Sequence, residues 1–471
     1  MLLMSSIHYA SLSEMARQIR QKQISPVELV ESQLARVAIL QPKLNAFVHL
    51  EGEGAKRRAQ QAESAIARGE PPGPLHGVPV SIKSCIDVAG WPCPAGSLLR
   101  ANEIPSQSAP MVRRLLDAGA IPLGNTNAPE FLMAYETDNR VTGKTSNPWN
   151  LTHSAGGSSG GEAAAIAAGL SAGGIGSDGG GSIRVPAHFC GICGLKPTPG
   201  RIAATGHFPP GMSAFGWLGV VGPMARTVAD LRVLFGVMAG PDSGDALSVP
   251  VRTELQANAP LRGVRVGILE SPALQHATPE TRAAVEQAAR LLENRGFVVD
   301  PFRLDNLQRM LELWWFFFGT VIGELLRTEV RGRENWLSPQ LREYLEVSRI
   351  DSPLGMREFV AKSAARDQER AQVLRAMEDV PVLLSPVCSE PAFRHGGGNW
   401  QPETGYRDTM RHAQWLNLAG MPGISLPMGK TPAGLPVGVQ LVGKPFEEEL
   451  LLSVAEQLEE ARGPWQPPPL D

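Results

Sequence analysis

Two glycine-rich serine sites lie close together in this sequence, Gly156-Gly-Ser-Ser-Gly-Gly161 and Ser177-Asp-Gly-Gly-Gly-Ser182. Three successive glycines let a backbone turn tightly and present N–H groups with no side chain in the way. Donors of that kind can hold the negative oxygen of a tetrahedral intermediate, each worth about 3–4 kcal/mol in the transition state. Ser182, at the end of the second loop, is placed to attack a carbonyl. The chemistry this suits is acyl transfer.

A serine nucleophile needs a base. Of the nine histidines, His153 and His188 stand nearest the glycine loops, though neither has the setting of a triad. The alternative is Lys83, at the end of the apolar, alternating stretch Val78-Pro-Val-Ser-Ile-Lys83. Burial disfavours its charged form, and action near neutrality needs a fall of roughly 3 pKa units, about 4 kcal/mol. Ser158 fits a proton relay between such an amine and the attacking serine.

Rival readings of the same glycines are weaker. The nearest approach to a phosphate-binding loop, Asp138-Asn-Arg-Val-Thr-Gly-Lys-Thr145, has an aspartate where the first glycine belongs. Gly156-Gly-Ser-Ser-Gly160 matches the G-x-S-x-G elbow of α/β-hydrolases, but the preceding Asn147-Pro-Trp-Asn-Leu-Thr-His-Ser-Ala155 does not read as the strand that elbow requires. A plain linker would not carry a helix signal, and Ser159-Gly-Gly-Glu162 reads as a capping box ahead of an alanine-rich helix that stops at Gly169.

That helix explains the spacing of the two serines. About ten helical residues advance roughly 15 Å, and the next segment, extended, returns about 20 Å. Ser158 and Ser182 therefore meet at one end of a sheet. Around them, residues 10–70 read as helices, with Ser25 and Pro26 opening one of them. Strand and helix patterns then alternate from Val78 to residue 304, including a helix capped by Thr227. Residues 305–375 read as a helical cap or pocket region, and 376–471 return to α/β patterns. The expected organisation is one large α/β domain: a helical segment over 1–75, a core over 76–304, the cap, and a C-terminal part of the same sheet.

Composition sets outer bounds. With 471 residues, 43% of them hydrophobic and 19% charged, the chain is an ordinary globular one, and its net charge of −3 argues against nucleic acid as the main partner. No apolar run reaches the ~18 residues of a membrane span, and the N-terminus lacks the basic start of a signal peptide. Five cysteines, an odd number, suit free thiols in a reducing cytoplasm. Cys190-Gly-Ile-Cys193 reads as a buried strand or turn in preference to a redox motif.

The segments Pro74–Lys83, Gly156–Leu170 and Ser177–Thr198 resemble the amidase signature family, and Gly124–Phe131, Thr145–Asn150, Gly222–Leu231, Leu418–Gly429 and Gly434–Gly443 extend the resemblance over nearly the whole chain. It implies a mixed, twisted β-sheet covered by helices on both faces and a Ser–cis-Ser–Lys triad. On that resemblance Ser182 is the nucleophile, Ser158 the bridging serine after a cis peptide bond to Gly157, and Lys83 the general base and acid. Gly179, Gly180, Gly181 and Ser182 supply oxyanion N–H groups, and Ser159, Asp178 and Arg184 support the loop. The family often has an acidic residue after the lysine, where this chain has Ser84.

The implied reaction is amide hydrolysis through an acyl-enzyme, with no metal and no organic cofactor. The implied partner is a small-molecule amide or carbamate, with neither nucleic acid nor membrane involved, and the protein a monomer or homodimer. Leu132, Met133 and Tyr135 match a segment bordering the serines and are pocket candidates. Trp314 and Trp315, in the apolar Leu313–Gly319, divide between core packing and pocket lining. Comparison within the family points to a free-standing amidase of small or aryl amides, the fatty acid amide hydrolases being similar but membrane-tethered. The alternatives are a urethanase with the same triad and the A-type subunit of glutamyl-tRNA amidotransferase, with Val185 counting against the latter. The intact Lys-Ser-Ser set argues against a non-catalytic member.

Overall fold

The alternating stretch before Lys83 forms a strand, Pro79–Lys83, buried on both faces and placed inside a large sheet. The computed structural model describes residues 7–211, 213–251, 261–274, 277–398 and 408–470; the short apolar start at residues 1–6 lies outside them. The strands run in chain order: β1 (Phe47–Leu50), β2 (Pro79–Lys83), β3 (Ile121–Thr126), β4 (Ser146–Asn147), β5 (Asn150–Ser154), β6 (Gly173–Asp178), β7 (Cys193–Lys196), β8 (Val220–Ala225), β9 (Arg265–Glu270), β10 (Val298–Arg303), β11 (Val382–Pro386), β12 (Gly423–Lys430) and β13 (Pro436–Gly443). Eleven of them build one sheet in the order β1-β3-β2-β6-β8-β7-β12-β13-β11-β9-β10.

Pairing is parallel within β3-β2-β6 and within β11-β9-β10, and antiparallel from β6 through β8, β7, β12 and β13 to β11. The sheet is therefore mixed, as an α/β chain with both crossover helices and hairpins requires. Its two faces bury different cores. On β8, Val221 joins residues of the helices Pro279–Asn294 and Glu448–Arg462, whereas Met224 joins the helix Gly160–Ala167. Helices thus cover both faces.

The N-terminal seventy residues are not helical throughout. Helices span Leu12–Arg20, Pro26–Leu44 and Gly52–Ala67, the second opened by a complete capping box between Ser25 and Glu28. Between the last two, β1 pairs antiparallel with β3. Its sequence, Phe47-Val-His-Leu50, does not alternate apolar with polar, so periodicity gives no strand signal there.

The two serine loops meet as the helix-and-return argument requires. The helix Gly160–Ala167 runs out, β6 runs back, and Ser159 N–H donates to the Ser182 carbonyl at 3.1 Å. The capping box read at Ser159 and Glu162 is not made. Both side chains are buried against strands, and the sheet takes their hydrogen bonds: Ser159 Oγ pairs with the Ser177 backbone, while Glu162 accepts from Ser81 and Thr126. The stretch before the first loop corrects another reading, because β4 and β5 form a hairpin there. That hairpin stands apart from the main sheet, so the α/β-hydrolase elbow still lacks its central strand.

Candidate active site

Lys83 ends β2 wholly buried, and its Nζ donates to Ser158 Oγ at 2.7 Å. A second hydroxyl, Ser177 Oγ on β6, lies 3.1 Å from the same nitrogen. Burial lowers the amine from 10.5 to about 8, against the opposing pull of Cys85, Asp178 and Glu162. A lysine so placed can lose its proton near neutrality. The Gly157–Ser158 peptide is cis, as the family resemblance implied. Ser158 is buried, and Ser182 is partly accessible and lines the same cavity.

Behind the glycine loop sits a wholly buried ion pair. Asp178 and Arg184 contact at 3.0 Å, and the Asp178 carboxylate also accepts from the N–H groups of Gly181 at 2.7 Å and Ile183 at 3.0 Å. Burial would raise the Asp178 carboxyl, but Arg184 outweighs it and holds the group below the ordinary carboxylate range. Arg184 extends the network to Gln440 at 3.0 Å, the Ala413 carbonyl at 2.9 Å and Asn417 at 2.7 Å. Asn417 in turn donates to the Asp178 carbonyl at 3.0 Å. The loop is thereby anchored from the C-terminal third of the chain.

The four expected oxyanion donors are not equivalent. Gly181, at φ 118°, where only glycine is unstrained, gives its N–H to Asp178. The N–H groups of Gly179, Gly180 and Ser182 take no protein partner among the described residues. Gly180 has no room for a side chain, since a Cβ there would meet Trp314 Cζ2 at 2.5 Å.

A narrow cavity opens on these groups. Among the described residues its polar lining is Ser158, Ser177, Asp178, Ser182 and His207, with Gly179 and Gly219 beside them, and its apolar lining is Leu132, Met133, Phe215, Val220 and Phe318. Tyr135, Trp314 and Trp315 are not among them. Tyr135 and Trp314 instead bond the loop's backbone, and Trp315 turns toward Tyr344. The apolar Leu313–Gly319 segment divides in the same way: Trp314 and Phe317 pack in a core, while Phe318 reaches the cavity.

Several contributors were invisible to sequence reasoning. Ser177 lay inside the motif but carried no role there. Glu162, which burial raises to about 7, stands close enough to Lys83 for each to affect the other's charge. Gln440 and Asn417 come from segments more than two hundred residues away, and nothing local marks them. The histidines near the loops in sequence are elsewhere in space. His153 sits on the outer hairpin, and His188 is fixed between Gly438 N–H at 2.7 Å and the Glu390 carbonyl at 3.1 Å. His207 is the one histidine lining the cavity among the described residues, and burial lowers it to about 4. Cys190 and Cys193 are free, buried thiols at a helix end and a strand start. Among the described residues no cluster of three or more His, Cys, Asp or Glu is placed to hold a metal ion. No helix there is long and apolar enough to cross a membrane.

Comparison with known proteins gives a consistent family. A family model described as Amidase matches residues 28–452. A curated relative from Roseiflexus sp. (strain RS-1), named as the A-type subunit of glutamyl-tRNA(Gln) amidotransferase, is 35% identical over 476 residues, covering 96% of each chain. A solved structure titled "An unexpected vestigial protein complex reveals the evolutionary origins of an s-triazine catabolic enzyme" is 30% identical with a TM-score of 0.89, covering 97% of this chain and 99% of that one. A bacterial aryl acylamidase of the amidase signature family is 27% identical with a TM-score of 0.85, covering 98% and 97%.

Proposed function

The chain belongs to the amidase family, whose model spans most of it, and on that premise we propose that it hydrolyses the carbon–nitrogen bond of a neutral, largely apolar amide. One observation carries the reading: a buried lysine of lowered pKa donates at 2.7 Å to a buried serine, and a second, accessible serine opens on the same cavity.

In this mechanism neutral Lys83 takes the Ser158 proton as Ser158 takes that of Ser182, whose Oγ bonds to the substrate carbonyl carbon. The carbonyl oxygen becomes an oxyanion, received by the N–H groups of Gly179, Gly180 and Ser182, while Gly181 holds the loop to Asp178. The proton returns along the same route to the leaving nitrogen, the C–N bond breaks, and an acyl-Ser182 ester remains. Water then repeats the sequence and releases the acid.

The walls speak to the acyl group. Leu132, Met133, Phe215, Val220 and Phe318 are apolar, and among the described residues the only ionised lining group, Asp178, is already paired with Arg184. A charged acyl group would lose its hydration there without a partner. Alkyl and aryl amides suit this lining, and carbamates present the same carbonyl geometry to the same donors.

A second reading has its own support. The curated relatives at 33–35% identity are named as the A-type subunit of glutamyl-tRNA(Gln) amidotransferase. Similarity over nearly the whole chain outweighs the single-position argument from Val185. In that reading the protein works within a complex and takes glutamine as its amide.

The deciding experiment is a hydrolysis panel on purified protein: aryl amides, alkyl amides, C-terminal peptide amides, carbamates and glutamine. Turnover of an apolar amide or carbamate that disappears in Ser182→Ala supports the first reading. Activity on glutamine alone overturns it in favour of the second.

A further inference from the structure

The glycine loop is held from outside by two aromatic side chains. Trp314 Nε1 donates to the Gly179 carbonyl at 3.0 Å, and the Tyr135 hydroxyl donates to the Gly180 carbonyl at 2.9 Å. In a trans peptide the N–H points opposite the C=O. The Trp314 bond therefore fixes the plane carrying the Gly180 N–H. The Tyr135 bond fixes the plane carrying the Gly181 N–H, which Asp178 accepts at 2.7 Å. Gln414 Nε2 donates to the Tyr135 hydroxyl at 3.0 Å, so the phenol itself is oriented.

Trp314 also connects to the cavity. Its ring stacks on Phe318 with centroids 4.6 Å apart and planes 13° apart, and Phe318 is a cavity wall. Phe318 lies in a π-helical turn, Phe316–Val321, an irregularity often found at functional sites. Its carbonyl accepts from the Tyr344 hydroxyl. The stack, the indole and the loop thus form one continuous chain of contacts from wall to backbone.

We infer that Trp314 and Tyr135 are positioning residues that set the two peptide planes of the glycine loop, and that Phe318 couples the acyl pocket to Trp314. An acyl group that fills the space against Phe318 steadies the indole and with it the Gly180 N–H. Fit in the pocket is then expressed in rate as well as in binding. The inference rests on the reading in which Ser182 attacks and the loop's N–H groups receive the oxyanion.

The test uses covalent labelling of the full chain by an alkyl fluorophosphonate, so no substrate has to be known. Ser182 Oγ forms a bond to phosphorus, fluoride leaves with the P–F electron pair, and the serine proton passes to Ser158 and Lys83. Intact mass follows the rate. Wild type should gain one label and Ser182→Ala none; a Ser182→Ala protein that labels at the wild-type rate overturns the underlying reading. Trp314→Phe keeps a ring for the stack and removes the donor. Its maximal labelling rate should fall about 10–100-fold, the scale of a misplaced reacting group, with the half-saturating probe concentration unchanged. Tyr135→Phe, which removes a single oxygen, should fall in the same way and keeps the test alive if the tryptophan variant does not fold. Phe317→Leu, buried in the same core, should lower thermal stability and leave the rate alone. Wild-type labelling in both Trp314→Phe and Tyr135→Phe, or equal slowing in Phe317→Leu, overturns the inference while leaving Ser182 as nucleophile.

Discussion

If Lys83 must be neutral to act, turnover follows its titration. The amine sits at about 8 instead of 10.5, which multiplies the neutral fraction at neutral pH by roughly 300, since each unit is a factor of ten. Near pH 7 about a tenth of the enzyme is competent, and near pH 6 about a hundredth. Plotted as kcat/KM for an uncharged substrate, the rate should climb tenfold per unit and level off above about pH 8. Glu162 offers a control with a defined sign. Its anion raises the lysine, so Glu162→Gln removes an attraction for the ammonium, lowers the Lys83 pKa and moves the half-point to more acidic pH. The assay is initial rate against pH in buffers of constant ionic strength, on wild type and variant together. A profile flat from about pH 6 to 9, or a half-point that moves upward in Glu162→Gln, would refute a lysine base in this setting.

Further outcomes test other parts of the site. Lys83→Ala should reduce kcat by about a thousandfold or more, whereas His207→Asn, at the cavity-wall histidine, should reduce it less than about tenfold; the reverse ranking would point to a histidine base. Arg184→Met leaves Asp178 buried and unpaired, so urea unfolding should show a loss of about 3–5 kcal/mol, recovered in part by adding Asp178→Asn. Glu162 is raised from 4.5 to about 7, so the folded state binds the extra proton and stability falls as pH rises through that window. Glu162→Gln should therefore match wild type below about pH 4.5 and exceed it above about pH 7, by up to ~3 kcal/mol in denaturant titrations.

How legible was this in the sequence? The glycine loops, the alanine helix and the alternating stretch before Lys83 carry their structure locally, and the meeting of the two serine loops follows from two rise-per-residue values. What stayed hidden was decided by long-range contact. Ser159 and Glu162 satisfy a capping rule on paper, yet both are buried against strands whose hydroxyls and amides make the stronger claim. Trp314 and Tyr135 are aromatic and near the site, which suggests walls, but the fold carries their polar atoms to backbone carbonyls of the glycine loop. The strand β1 lacks the apolar–polar alternation that would announce it. Gln440 and Asn417 are ordinary amides until Arg184 is seen between them.

The dependence of that arginine on Gln440, Ala413 and Asn417 has a bearing on synthesis. When a ribosome has translated the first two hundred residues, the lysine, both serines and the glycine turn already exist as polypeptide. The groups that brace Arg184 come some two hundred residues later. A nascent chain is accordingly a hydrolase without its brace, and a product truncated before Asn417 should be inert however well its front portion collapses.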